Sequence, residues 1–373
     1  MDLKDPVARP PSAPSRRSKP RPRGVAEPVN GRRIVVIGTS TGGVITLRDL
    51  AGGLSPDFPA PILVVMHLSP THRSELPRII SKAGPLEARH AVDGEPLAPG
   101  RIYVAPPDCH LLVEPGSVAV AHGPRENRFR PSIDALFRSA AYSHGAGTIG
   151  VILSGALEDG VSGLWTIKRL GGISIVQDPS DAHMSYLPES AQEQVAVDHL
   201  AKAKDIGPLL NRLVADVMPE ERPMKKDERK RLETEVRIAG GRYPLEEGSL
   251  ELGKASMYSC PECHGVLMQL EEGGTKRFRC HTGHAYSEPA LLDSINESVE
   301  AKLREATRAI EEASLLMTEM GNDLARKNQA AAAESLLAGA RRAQARAHAL
   351  QHETVSEDAL PGRMEKPAAK RGG

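Results

Sequence analysis

Very little of this chain is aromatic: one Trp, six Tyr and four Phe among 373 residues. Its core must therefore be assembled from Val, Ile, Leu and Ala. Cysteine is scarce as well. There are four, with Cys260, Cys263 and Cys280 close together and Cys109 alone. A disulfide framework needs more cysteines, more evenly spread, so the expected compartment is reducing and cytoplasmic. No apolar run approaches the roughly 18 residues of a membrane span, and the basic N-terminus lacks the apolar core of a secretion signal. Membrane insertion is not expected. Nor is there a charge excess: 48 Lys and Arg balance 48 Asp and Glu. Zero net charge and the absence of interleaved aromatics argue against nucleic-acid binding.

What is present falls into segments. Residues 1–30 are rich in Pro, Arg and Lys and bury too little to offset their ordering entropy, so they read as a disordered tail. Residues 31–217 alternate short β-branched runs with helical stretches. The runs are Arg33–Gly38, Pro61–His67, Arg101–Ala105, Thr148–Ser154 and Gly172–Gln177. The helical stretches are Gly43–Leu50, Thr71–Ala83, Ser132–Tyr142 and Ser162–Leu170. Nearly continuous apolar strands separated by helices predict an α/β domain with a doubly wound, mostly parallel sheet. His110–Val113 and Val118–Ala121, joined through Pro115-Gly116-Ser117, predict a small antiparallel hairpin. Residues 218–255 read as a charged linker with some helix. Residues 256–288 hold the cysteine cluster. Residues 289–355 read as a helical hairpin or coiled coil, with apolar residues stepping by three and four from Ile295 to Leu324 and a possible break at Met320–Asp323. Residues 356–373 read as a second disordered tail.

Ile34 to Gly43 contains Gly38-Thr39-Ser40-Thr41-Gly42, a G-x-S-x-G between a predicted strand and a predicted helix. At such a sharp turn a serine hydroxyl points out of the sheet edge, small neighbours accommodate the strained chain, and the helix start offers N–H groups to an oxyanion. Gly-rich strand-to-helix turns also cradle phosphates, but neither the dinucleotide spacing nor a P-loop Lys is here. A nucleophilic serine needs a base and an orienting acid. His67 ends one predicted strand, and Asp159 follows another. In a parallel sheet these C-terminal ends share one edge, where ligands bind. Asp178 and Asp181 also follow a strand and rival Asp159 for the acid.

Gly38 to Gly43, Met66-His67, Tyr103 to Pro107, Arg130 to Phe137 and Leu153-Ser154-Gly155 with Asp159-Gly160 together resemble the catalytic domain of chemotaxis protein-glutamate methylesterases, the CheB type. The resemblance spans residues from about 31 to about 215. It implies a Ser-His-Asp triad, at Ser40, His67 and Asp159 in this chain. The substrate it implies is a glutamate methyl ester on a methylated chemoreceptor-type protein, with glutamine deamidation as a possible second activity. The candidate oxyanion and substrate contacts are Thr41, whose N–H is the expected oxyanion donor, with Gly42, Gly43, Ala156 and Leu157. Two features depart from the family pattern. Only the 30-residue tail precedes the elbow where a receiver domain is usual, so control by phosphorylation in cis is not expected. Leu157 and Glu158 stand where the family often has Gly and Asn, which points to an altered wall beside the nucleophile. A related serine esterase or amidase with another substrate, or a signalling adaptor of reduced activity, are the alternative readings.

Cys260-Pro261-Glu262-Cys263 followed by Cys280-His281-Thr282-Gly283-His284 has the ligand spacing of a zinc ribbon. Cys260, Cys263, Cys280 and His284 are the predicted ligands of a structural Zn²⁺, with His281 as the competitor for the fourth place. No cofactor is expected for catalysis itself. Cys109-His110 reads as packing, and Arg128 and Arg130 as loop braces or contacts to an acidic receptor surface. The helical tail is a candidate surface for a protein partner or for self-association.

Overall fold

A computed structural model describes residues 33–70, 74–218, 220 and 222–355. The two predicted tails, 1–30 and 356–373, lie outside the described residues. Within 33–218 the chain runs β1 (Ile34–Thr39), α1 (Gly43–Gly52), β2 (Ile62–Met66), α2 (Leu76–Ala83), β3 (Glu87–His90), β4 (Arg101–Val104), β5 (His110–Glu114), β6 (Ser117–Ala121), α3 (Ile133–His144), β7 (Thr148–Ile152), α4 (Val161–Arg169), β8 (Ile173–Gln177), α5 (Tyr186–Gln194), β9 (His199–Ala201) and α6 (Ala203–Leu213). Seven strands form one parallel sheet in the order β3-β4-β2-β1-β7-β8-β9. β5 and β6 pair antiparallel beside it, turning at Pro115-Gly116, where Gly116 takes φ +80°.

Alternation along β1 explains the layering. Val35 and Ile37 face a core shared with α1, α2 and α6, through residues such as Leu47, Ile80 and Leu210. Ile34 and Val36 face a second core shared with α3, α4 and α5, through Phe137, Leu164 and Leu187. Both faces are apolar because both are covered by helices. β3 and β9 lie outside the predicted runs. Both are edge strands, short and partly polar, so neither shows a continuous apolar run. The helix predicted from Thr71 begins at Leu76, with Pro77 in its first turn, where a missing N–H costs nothing.

The segment read as a charged linker carries α7 (Lys226–Ala239), which buries Leu232, Ile238 and the carboxylate of Glu235. A four-stranded antiparallel sheet follows: β10 (Lys254–Ser259), β11 (Val266–Glu272), β12 (Thr275–Cys280) and β13 (Ala285–Ser287). It docks on the α/β domain through buried charges. Arg279 bonds Glu126 at 2.9 Å and Glu235 at 3.0 Å, Arg277 bonds Glu235 at 3.1 Å and Glu272 at 2.8 Å, and Arg138 pairs with Glu126. Ser162 of α4 donates to Glu272 at 2.8 Å. The β11–β12 turn lies against Trp165: a Cβ on Gly273 would fall 2.2 Å from the indole nitrogen.

Two long helices complete the chain, α8 (Glu288–Arg326) and α9 (Ala330–Val355), packed as an antiparallel pair. The break expected at Met320–Asp323 is absent. α8 runs through it and ends before Asn328, which takes the left-handed conformation at φ 57° that suits a helix stop. Half of the expected stripe lies along the seam, with Leu303, Ile310, Met317 and Leu324 half-buried, and the other half is displaced. Thr307, Ser314 and Gly321 are buried, rather than Ala306, Ala313 and Met320, and they face Ala333, Ala340 and Ala347 in a repeat of seven. Small residues win because the helices approach closely. A Cβ on Gly321 would meet Leu337 at 2.8 Å, and the Ser314 hydroxyl donates to the Ala340 carbonyl at 2.9 Å.

Candidate active site

Parallel pairing brings the predicted residues together. Thr39 pairs with Met66 across β1 and β2, so Ser40 and His67, each one residue on, leave the sheet side by side. Gly38 pairs with Ile152 across β1 and β7, which brings the loop after β7, carrying Asp159, to the same edge. In the sheet order β1 has β2 on one side and β7 on the other, so the three residues converge at the topological switch point.

His67 Nδ1 lies 3.2 Å from Ser40 Oγ, and His67 Nε2 lies 2.8 Å from Asp159 Oδ2. Asp159 accepts at Nε2, so that nitrogen carries the proton and Nδ1 presents its lone pair to the serine hydroxyl. This reverses the ring usage of the chymotrypsin-type triad. Geometry explains it: Ser40 is an immediate neighbour across the sheet and meets the nitrogen nearer the Cβ, while Asp159 meets the distal one. Phe129 stacks on the imidazole with ring centres 3.5 Å apart and planes 7° from parallel.

Asp159 is fully buried. Its carboxylate accepts from Ser132 Oγ at 2.8 Å, Asn127 Nδ2 at 2.9 Å and the N–H groups of Ile133 at 2.6 Å and Asp134 at 3.3 Å. The last two open α3, a helix start that suits an anion. Burial alone would raise its pKa, but hydrogen bonds and charge from His67, Asn127 and Ile133 outweigh it and hold the carboxyl below its ordinary value. Asp134, beside it, is pushed the other way by burial and by the Asp159 charge. The Asn127 amide donates to both, reaching Asp134 Oδ2 at 2.9 Å.

Glu235 in the interdomain charge cluster behaves like Asp159: burial opposes its ionisation, and Arg277, Arg138 and Arg279 prevail, so its pKa falls. For both groups the folded value lies below the ordinary one, 3.8 for Asp159 and 4.5 for Glu235. Their ionised forms therefore favour the folded state at neutral pH, and that contribution is lost as acid titrates them. Calorimetry is expected to show Tm falling steadily below about pH 4.5. A Tm that stays level down to about pH 3 would contradict this.

The elbow is held from several sides. Ser154 Oγ donates to the Thr41 carbonyl at 2.7 Å and accepts from Met184 N at 2.9 Å, and Thr39 Oγ1 donates to the Ser154 carbonyl at 2.9 Å. Gly42 takes φ +83°, and a Cβ there would lie 2.6 Å from His183 and 2.8 Å from Ser154 Oγ. Of the expected oxyanion donors, Gly43 is already committed, its N–H bonding the Ser40 carbonyl at 3.0 Å. Thr41 is exposed at the mouth of the turn. Ala156 and Leu157 are half-buried in the loop after β7. That loop passes Ser40 closely, since a Cβ on Gly155 would lie 3.2 Å from that of Ser40. Glu158 is turned toward α5, accepting from Gln194 at 3.3 Å.

The rival acids are engaged elsewhere. Asp178 accepts from the Ser180 N–H at 2.9 Å and hydroxyl at 2.7 Å, and Asp181 from Gln177 at 2.9 Å and Ala203 N at 2.8 Å. Buried His110 donates Nε2–H to the Pro124 carbonyl at 2.8 Å and accepts the Ser132 N–H at 3.2 Å. Desolvation lowers its pKa to about 4, so it stays neutral. Arg130 braces Asp108 at 2.8 Å and Arg128 pairs with Glu297 of α8. Sequence reasoning missed Asn127 and Phe129. Their loop shows no motif, and its polar residues look like a solvated turn.

The cysteine cluster is compact. The ligand atoms of Cys260, Cys263, Cys280 and His284 all lie within 4.8 Å of one another. Cys263 and Cys280 sulfurs are 3.5 Å apart, and His284 Nδ1 is 3.6 Å from the sulfurs of both Cys260 and Cys280. A tetrahedral Zn²⁺ with three thiolates and one imidazole needs ligand separations of about 3.6–3.8 Å. Glu262 lies 3.3 Å from His284 Nε2, the outer carboxylate that commonly orients a metal-bound histidine. His281 lies elsewhere, its ring over Gly265, where a Cβ would fall 2.0 Å from His281 Nδ1.

Residues 35–210 match the CheB methylesterase family. A putative protein-glutamate methylesterase/protein-glutamine glutaminase of Leptospira interrogans is 38% identical over 180 residues, which are 48% of this chain and 93% of that protein. The chain belongs to the CheB methylesterase family. A second relative, protein-glutamate methylesterase/protein-glutamine glutaminase 2 of Anaeromyxobacter dehalogenans, is 37% identical over 52% of this chain and 57% of its own length. The crystal structure of the Thermotoga maritima CheB methylesterase catalytic domain is 34% identical, covers 49% of this chain and 99% of that one, and gives a TM-score of 0.47. The family match contains Ser40, His67 and Asp159 and ends well before the cysteine cluster. Among the described residues no helix is long and apolar enough to cross a membrane.

Proposed function

We propose that this chain is a serine hydrolase that demethylates glutamate methyl esters on a chemoreceptor-type protein. The Ser40–His67–Asp159 relay, at 3.2 and 2.8 Å within the family-matched region, carries this reading. In the proposed reaction His67 Nδ1 takes the Ser40 proton as Oγ attacks the ester carbonyl. The Asp159 carboxylate holds the ring and stabilises its charged form. The Thr41 N–H stabilises the oxyanion. His67 then protonates the leaving methoxide, and water, activated by the same nitrogen, releases the glutamate. Glutamine side chains would pass through the same acyl-enzyme with ammonia leaving, in keeping with the double names of the relatives.

A substrate panel tests the reading. Methanol should be released from methylated receptor fragments much faster than from simple methyl esters, because contacts away from the reacting carbon contribute to the barrier. Equal rates on all esters would support the general esterase instead.

We further propose that Cys260, Cys263, Cys280 and His284 hold a structural Zn²⁺. Four protein ligands close the coordination sphere, and a core limited to a handful of residues such as Leu267, Phe278 and Tyr286 gives the small sheet little other support. Metal analysis of the purified chain should give one zinc per molecule and a Cys263→Ser variant markedly less. Equal content in the two would remove Cys263 from the site.

A further inference from the structure

The cysteine-bearing sheet and the triad meet at one loop, residues 125–129. On the side of the sheet, this loop pairs with β13 through one parallel bridge, Glu126 to Ala285. Ala285 N donates to the Arg125 carbonyl at 3.2 Å, and Asn127 N to the Ala285 carbonyl at 2.7 Å. Ser287 N then donates to Asn127 Oδ1 at 2.8 Å. Ala285 immediately follows the ligand-set residue His284, and β12, which pairs with β13, ends at Cys280. On the side of the triad, the same Asn127 donates Nδ2 to Asp159 Oδ1 at 2.9 Å, and Phe129 stacks on His67. Asn127 is thus saturated between the two: its oxygen is held by the sheet and its nitrogen is spent on the buried acids.

The loop does not hold this shape by itself. Asn127 and Arg128 sit at φ 49° and 75° in succession, a region that non-glycine residues populate sparsely and keep only where their surroundings dictate it. Part of those surroundings is local, with Arg138 of α3 on Glu126 and the Asp134 and Asp159 carboxylates on Asn127, and the rest comes from the C-terminal half of the chain. Glu126 is clasped by Arg279 of β12, Arg128 by Glu297 of α8, and Asn127 by β13.

We propose that the C-terminal metal-binding sheet is a working part of the esterase site: metal on Cys260, Cys263, Cys280 and His284 fixes β13, and β13 holds Asn127 as a positioning residue for Asp159. The inference rests on the triad reading above and extends it. Metal loading becomes a condition for full activity without the metal touching substrate. Asn127 acts through Asp159, and Asp159 through His67.

The test uses the full chain and a fluorophosphonate, which reports nucleophile activation at Ser40 without any assumption about the ester substrate. Asn127→Gly keeps the left-handed backbone and removes only the side chain. Its inactivation rate should fall roughly 10- to 100-fold, the loss common when a group that orients a reactive side chain is removed, with metal content unchanged. The acid limb of its pH–rate profile should move to higher pH. Asp159, faced by His67, Asp134 and His110, loses a donor to its charged form. Stripping metal from wild type with a chelator should slow inactivation by a similar factor, and added Zn²⁺ should restore it. Asn127→Gly should lose clearly less on stripping than wild type, since the side-chain link from β13 to Asp159 is already cut.

If Asn127→Gly fails to fold, the strip-and-restore arm on wild type decides, read also as faster amide exchange in residues 125–129 on metal removal. A wild-type rate and profile in Asn127→Gly, an undiminished rate in the stripped protein, or equal factors of loss on stripping both proteins would overturn the proposal. An absence of labelling at Ser40 in metal-loaded wild type would instead fall on the triad reading and remove the basis of this one with it.

Discussion

Ser40→Ala is expected to lower methanol release by roughly 10⁶-fold while leaving the fold intact. The loss is large because no other group can form the acyl intermediate. The Ser40 hydroxyl is the group facing His67 Nδ1 at 3.2 Å. Structure should survive because the elbow is held by other atoms. Ser154 grips the Thr41 carbonyl, the Ser40 N–H bonds the Ser154 carbonyl at 2.9 Å, and Gly42 supplies the left-handed turn. The variant should therefore match wild type in Tm, and residual turnover should reflect substrate binding and oxyanion donors alone. A loss of only about tenfold would mean that water attacks directly and that Ser40 is a spectator.

Asp159→Asn should cost about 10⁴ in kcat with little change in KM, by analogy with the chymotrypsin-type case. The physical reason lies in the tautomer. Asp159 Oδ2 accepts from His67 Nε2 at 2.8 Å, which leaves Nδ1 free to take the serine proton. An asparagine that turned its NH₂ toward Nε2 would move the ring proton to Nδ1 and block that transfer. It would keep its oxygen for the Ser132 hydroxyl and the Asp134 N–H, but would turn a donor toward the Ile133 N–H, which bonds the same Oδ2 that faces His67. Relief of the Asp134–Asp159 repulsion should offset part of the lost charge-assisted bonding, so Tm should shift less than the rate suggests. Steady-state kinetics beside a thermal melt separate the two effects. A kcat within tenfold of wild type would show that Asp159 does not set the tautomer.

The centre of the fold was readable because it is buried on both faces. β1, β2, β4, β7 and β8 each stand out as apolar runs, and the parallel sheet follows from the helices between them. β3, with Glu-Ala-Arg-His, and the three-residue β9 lie at the sheet edges, where hydrophobicity carries no signal. The triad was readable for a related reason. Polar residues at the ends of strands that must be parallel share an edge, whatever their separation in sequence. Asn127 and Phe129 belong to the other kind of information. Nothing in Glu-Asn-Arg-Phe marks a loop that touches two carboxylates and an imidazole, and its left-handed residues are held by long-range contacts from the sheet, from α8 and from the buried acids. The α8–α9 seam showed only in part, through Leu303, Ile310, Met317 and Leu324, for a different cause. Hydrophobic spacing picks Ala306, Ala313 and Met320, whereas the closeness of the helices selects Thr307, Ser314 and Gly321. In the cysteine cluster the spacing favoured His284 over His281, and it is His284 that lies among the three sulfurs, because a three-residue turn brings it back to Cys280.

In the proposed arrangement Ser40 and His67 act from the edge of the parallel sheet, and the support of Asp159 is shared with the cysteine-bearing sheet. The most direct test of the central claim is to map, by peptide mass spectrometry, where a fluorophosphonate attaches in the metal-loaded chain. The account predicts one adduct per molecule, on the peptide bearing Ser40, and its near-disappearance in His67→Ala. Attachment at another residue, or labelling of Ser40 that persists at full rate without His67, would contradict it.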